Sequence, residues 1–175
     1  MSDSLAYLYC EFRNMKKLMF TMMLMASMLA SCTQQKTSVT DAFTSFAEHF
    51  GESESFALAS VSGHEVLLVS QETFGNNVNE DKEAIEATIF ALDGNGRIIS
   101  LGSVRSQGTL YPVSVLDGKI MVAGHQFVRI YGIRGEESPE LVLDSYGDGE
   151  GPEMEELFKT FGKGTPVKFC KTLLK

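Results

Sequence analysis

The chain has 175 residues, a net charge of −8 and 43% hydrophobic residues, with nine methionines, three cysteines and no tryptophan. That length suits one ordinary domain, or at most two small ones. The acidic balance excludes nucleic acid as a partner, because phosphate binding needs clustered Lys and Arg, and the hydrophobic content excludes a wholly disordered chain.

Six of the nine methionines fall between Met15 and Met28. Lys16 and Lys17 make a basic start, and Leu18 to Ala30 is an uncharged, mostly apolar run of 13 residues. A bilayer-spanning helix needs roughly 20 residues, so this run suits the hydrophobic region of a signal peptide instead. It ends in Leu29-Ala30-Ser31-Cys32. This stretch resembles the lipobox of bacterial lipoproteins: an aliphatic residue, two small residues and the cysteine that takes the lipid. The resemblance implies a signal peptide over 15–31, lipidation at Cys32 and export to the cell envelope. Each buried CH₂ adds about 0.8 kcal/mol, so two or more acyl chains hold where one is marginal.

Residues 1–14 precede the basic start and carry Asp3 and Glu11. They are expected to be a mis-annotated start, with Met15 the true initiator. Processing then leaves Cys32 acylated and Cys170 alone, so no intramolecular disulfide is expected despite an exported location. From Cys32 onward, 21 Asp and Glu face 12 Lys and Arg, a balance of −9.

Residues 32–40 are polar and read as a tether, followed by a single β-rich domain over 41–175. Asp41 is expected to cap a short helix, since Phe43, Phe46, Ala47 and Phe50 recur at helical spacing and Gly51 stops it. The period then becomes strand-like. Phe56–Val61, a Ser62-Gly63 turn and Glu65–Ser70 predict a hairpin, and Glu86–Leu92, an Asp93-Gly-Asn-Gly96 turn and Arg97–Val104 predict another. A second set follows: Thr109–Leu116, an Asp117-Gly118 turn, Lys119–Ala123, Gln126–Ile133 and Glu140–Ser145. Glu65–Val69 resembles Lys119–Ala123, 54 positions later, and the first half carries an insertion at about 73–84. Pro152 opens a helix with Glu153, Glu155 and Glu156 in its first turn and ends at Gly162, and 165–174 predicts a last strand.

Two four-stranded units with Asp-Gly-type turns resemble β-propeller blades. Lipoproteins of the Bacteroidetes with six blades share the Met-Lys-Lys start, the Ser-Cys cleavage site and a Gly-x-Gly-Pro-x-Glu-like stretch. Gly149-Glu-Gly151-Pro152-Glu153 is similar, with its Glu directly after Pro152. Two blades cannot close a ring that takes four to eight. The expected fold is therefore mainly β, with two antiparallel meanders packed as a sandwich or small barrel and short helices at either end.

The chemistry offers few constellations. His49, His64 and His125 lack zinc-site spacing, no Gly-x-Ser-x-Gly elbow occurs, and Cys170 has no obvious partner histidine. Asp144, Asp148, Glu150, Glu153, Glu155 and Glu156 place six carboxylates within 13 positions. Asp144, Asp148 and Glu150 are the candidate metal ligands, yet Tyr146 stands where an EF-hand needs an oxygen, and a solvated turn before a helix is the preferred reading. Tyr111, Phe127, Tyr131 and Tyr146 are read as core or cross-strand pairs before a sugar platform. No catalytic residue, cofactor or metal is expected. The leading functional reading is a non-enzymatic module held to the membrane by its lipid, binding a protein or glycan partner. No acidic run follows Cys32, the feature by which the resembling lipoproteins reach the surface, so the periplasmic face of the outer membrane is expected. The alternatives are a small glycan-processing or metal-dependent hydrolase using 144–156, and a truncated propeller.

Overall fold

Val66-Leu-Leu-Val69 and Ile120-Met-Val-Ala123 are apolar at every position. A strand made of either must be covered on both faces, because successive side chains point to opposite sides. The computed structural model describes residues 38–75 and 82–173, and it provides that cover. In chain order the elements are α1 (Val39–Ala47), β1 (Ser55–Val61), β2 (His64–Ser70), β3 (Thr73–Phe74), β4 (Glu83–Ala84), β5 (Glu86–Leu92), β6 (Ile98–Arg105), β7 (Ser114–Leu116), β8 (Lys119–Gly124), β9 (Phe127–Arg134), β10 (Glu140–Asp148), α2 (Pro152–Phe161) and β11 (Thr165–Pro166). Strands β1-β2-β5-β6 make one antiparallel sheet, β10-β9-β8-β7-β11 a second, and β3 pairs only with β4.

The two larger sheets stack face to face. Val66 and Leu68 of β2, Ala87, Ile89 and Ala91 of β5, and Ile120 and Val122 of β8 share one buried cluster between them. The alternate residues serve the outer faces. Leu67 and Val69 pack with Phe43 and Ala47 of α1, whereas Met121 and Ala123 pack with Met154 and Phe161 of α2. The layers are thus helix, sheet, sheet, helix, and the described strands form no closed barrel. The resemblance between β2 and β8 has a physical meaning: each is the doubly covered strand of its own sheet. Fully burying one such side chain contributes about 1.5–3 kcal/mol, so these two strands alone supply much of the core energy.

The two tightest turns match their residues. Ser62 and Gly63 both have positive φ, as do Asp117 and Gly118, the geometry that two-residue hairpins require. The tips also meet. Ser62 N–H donates to Gly118 O at 2.8 Å, and Ile133 N–H donates to Ser62 Oγ at 3.1 Å. Nearby, Gly94 N–H donates to Glu137 O at 2.8 Å, joining the β5–β6 tip to the β9–β10 tip. Hydrogen bonds between hairpin tips therefore stitch one end of the sandwich.

Several expectations change. Ser38, not Asp41, caps α1: its Oγ accepts from Asp41 N–H at 3.1 Å, so the helix begins inside the stretch read as tether. The strand expected over Thr109–Leu116 shrinks to β7, since Gly108 turns at φ 85° and Pro112 has no N–H to give a ladder. The second sheet has five strands rather than four, because the C-terminal segment adds β11 beside β7. That segment is not one long strand. It straps the two sheets together, pairing Thr165 and Pro166 with β7, then Phe169 with Lys82 and Cys170 with Phe56. Val167 and Phe169 enter the inter-sheet core, and Leu173 enters the α1 cluster. The insertion expected near 73–84 is bounded by the small β3–β4 pair. Residues 1–37, including Cys32 and the leader, lie outside the described residues, as does Leu174.

Candidate functional site

The carboxylates of the acidic segment divide between two places. Asp144 binds Lys119 and lies 3.1 Å from Arg134 Nη2. The Lys119 hydrogen bond and charge hold its carboxyl below the usual range, with Arg134 adding to the effect. Asp148, four residues on, accepts instead from the Tyr146 hydroxyl at 2.5 Å. Glu150 sits in the turn before α2. Among the described residues, no three of His, Cys, Asp and Glu stand where they could hold one metal ion. The histidines are dispersed. His49 bonds Ser45 O within the α1 region, His64 opens β2, and the His125 ring stands edge-on to Tyr111 at 5.7 Å. Cys170 lies in the C-terminal strap, its Sγ donating to Thr172 O at 3.1 Å.

The aromatics divide by environment. Tyr111 packs with Phe158 and Phe161 of α2, and Tyr131 packs against the inter-sheet core. Tyr146 does neither and is 50% exposed. A bulge determines where it points. On β10, Leu143 pairs with Tyr131 but Ser145 pairs with Ile130, so Asp144 is an extra residue in the ladder. Regular pairing would set Tyr146 opposite Val128, on the face covered by α2. The bulge shifts every later residue to the other face and sets Tyr146 opposite Arg129 and Asp148 opposite Phe127.

The result is a corner of two adjacent strands carrying four cross-strand neighbours on one face. The Arg129 guanidinium lies 4.8 Å from the Phe127 ring centroid and 5.7 Å from that of Tyr146. Stacking of this kind holds the planar group in one orientation, and the guanidinium lowers the Tyr146 pKa against the larger effect of Asp148. Arg97, Arg105 and Arg134 each have a carboxylate partner, and Arg129 has none among the described residues. The Asp148 hydrogen bond raises the Tyr146 pKa, burial adds to this, and the hydroxyl stays protonated as a donor. Beside the corner, a groove of about 560 Å³ runs between the end of β10 and the start of α2, lined by Tyr146, Asp148, Glu150, Glu153 and Leu157 among others. A second, more apolar hollow of about 470 Å³ lies between α1 and the C-terminal strap, against Ala47, Phe50, Phe56 and Leu173.

Sequence reasoning singled out Asp148 and Tyr146 separately and missed Arg129. The usable signal was the alternation Phe127-x-Arg129-x-Tyr131 beside Tyr146-x-Asp148, but joining the two strings requires the bulge. Comparisons with protein-family models, with curated proteins and with solved structures find no match to this chain.

Proposed function

We propose that this chain is an exported, lipid-tethered binding module of the bacterial cell envelope, held by Cys32 at the periplasmic face of the outer membrane and not itself catalytic. The observation that carries the binding reading over the hydrolase reading is the condition of the acidic segment. Asp144 is neutralised by two cations and Asp148 is engaged by a tyrosine hydroxyl, so both are already committed to partners, although Asp148 shares a groove with Glu150 and Glu153. Cation binding needs several converging oxygens, and among the described residues no three of His, Cys, Asp and Glu stand where they could hold one metal ion. The truncated-propeller alternative loses support because α1 and α2 occupy the outer faces on which further blades would stack.

The lipid reading rests on the leader sequence and Cys32. Five residues, Thr33 to Thr37, separate Cys32 from the cap Ser38. Fully extended they span at most about 20 Å, so the domain would ride close to the membrane. An acidic domain gains nothing from anionic headgroups, which leaves the anchoring to the acyl chains. Metabolic labelling with an alkyne fatty acid tests this directly. The wild-type chain should take the label and sediment with membranes, and Cys32→Ser should do neither. An unlabelled wild-type chain would refute the tether, and loss of the domain on protease treatment of intact cells would move it to the surface.

A further inference from the structure

We propose that the corner formed by Phe127, Arg129, Tyr146 and Asp148 binds a neutral sugar unit of a glycan, with a pyranose ring against Tyr146 and its hydroxyls shared between Arg129 and Asp148. The inference rests on the binding-module reading and names its ligand class. A sugar ring is amphipathic: one face presents C–H groups and the rim presents hydroxyls that both donate and accept. A fitting site needs an exposed aromatic ring with a fixed donor and a fixed acceptor beside it. Tyr146 is the half-exposed ring, Arg129 is the donor without a carboxylate partner, and Asp148 is the acceptor. Register pairs Arg129 with Tyr146 and Phe127 with Asp148, so all four lie on one face of two neighbouring strands.

The corner is braced before any ligand arrives. Two rings hold the guanidinium and the Tyr146 hydroxyl bonds Asp148, so binding would order few side chains. The adjoining groove gives an oligomer room to continue past the corner. Charge argues for a neutral polymer. Glu150 and Glu153 line that groove, and the chain from Cys32 onward carries 21 acidic against 12 basic residues, which repels polyanions.

Affinity electrophoresis of the full chain in mild detergent tests the proposal, with gels holding laminarin, xylan, galactomannan or polygalacturonate. At least one neutral polymer should retard the protein. Tyr146→Ala should abolish the retardation, and Arg129→Met and Asp148→Asn should each weaken it about tenfold or more, as losing a charge-assisted hydrogen bond does. Tyr146 and Asp148 sit at the surface and Arg129 is half-buried, and an unchanged melting temperature would separate lost binding from lost folding. Retardation by polygalacturonate alone, or by none of the four, would overturn the proposal. Retardation that survives Tyr146→Ala would overturn this site while leaving the binding-module reading intact.

Discussion

Leu67 and Leu68 are consecutive, both fully buried, and serve opposite sides of β2: Leu67 enters the α1 cluster and Leu68 the inter-sheet core. If the layering is correct, truncating either to Ala should be costly. Each change loses the transfer free energy of the deleted carbons and leaves a cavity, together about 2–5 kcal/mol. A domain of this size has about 5–15 kcal/mol in total, so either variant should remain folded but lose a large share. With about 140 residues unfolding at ~2.1 cal/mol/K per residue, a 3 kcal/mol loss lowers Tm by about 10 °C. The two residues are chain neighbours, so the double variant, if it folds at all, should depart from additivity by about 0.5–3 kcal/mol. Leu58, 39% exposed on β1, is the control and should cost clearly less when changed to Ala. Urea and thermal unfolding of the four variants measure all of this. A Leu67→Ala cost below about 1 kcal/mol beside a Leu68→Ala cost near 3 would refute the idea that α1 covers the outer face.

Four further predictions follow from local geometry. A Cβ on Gly147 would collide with Leu157 Cδ1 and stand 2.9 Å from Met154 Sδ, so Gly147→Ala should push α2 outward and cost about 1–3 kcal/mol by urea unfolding. Gly149→Ala, with open space but φ +90°, should cost only about 1–2 kcal/mol from backbone strain. The folded pKa of Asp144 is depressed, so its stabilisation is present above the ordinary carboxylate pKa and is lost as pH falls through the folded one. Wild type should therefore melt above Asp144→Asn at pH 7, and the gap should close as the pH drops below about 4 and Asp144 becomes protonated. Ser62→Ala should cost about 1–3 kcal/mol, because Ile133 N–H loses its acceptor at the junction of the hairpin tips; a value near zero would mean that water replaces the hydroxyl.

Much of the strand order was legible because local chemistry and global fold agree. Ser62-Gly63 and Asp117-Gly118 announce tight hairpins, Pro152 opens α2 where Pro fits best, and Phe43 and Ala47 mark the buried side of α1. The shortening at Gly108 and Pro112 has a local cause, but the other misreadings concern segments whose packing partners are distant in sequence. Thr165 to Cys170 looks like a strand, but its partners are β7, Lys82 and Phe56 in three different places, so pairing breaks up along it. Ser38 and Asp41 are both competent caps, and the choice fell to Ser38, which starts the helix early enough for Phe43 and Ala47 to reach β2. The acidic segment looked like one feature because its carboxylates are close in number. In space Asp144 pairs with Lys119 and Arg134, apart from the groove that Asp148, Glu150 and Glu153 line.

The order of residues by itself determined the number of meanders, their hairpin turns and the two doubly apolar strands, because turn chemistry and side-chain alternation act over a few residues. The acidic balance and the leader pattern ending at Cys32 are likewise readable without any fold. Only the tertiary structure decided what covers each sheet, since a strand apolar on both faces demands two covers but does not say which segments supply them. It also decided the corner at Arg129 and Tyr146. One extra residue at Asp144 reverses which face the last part of β10 presents, and that reversal exists only in the pairing of β10 with β9.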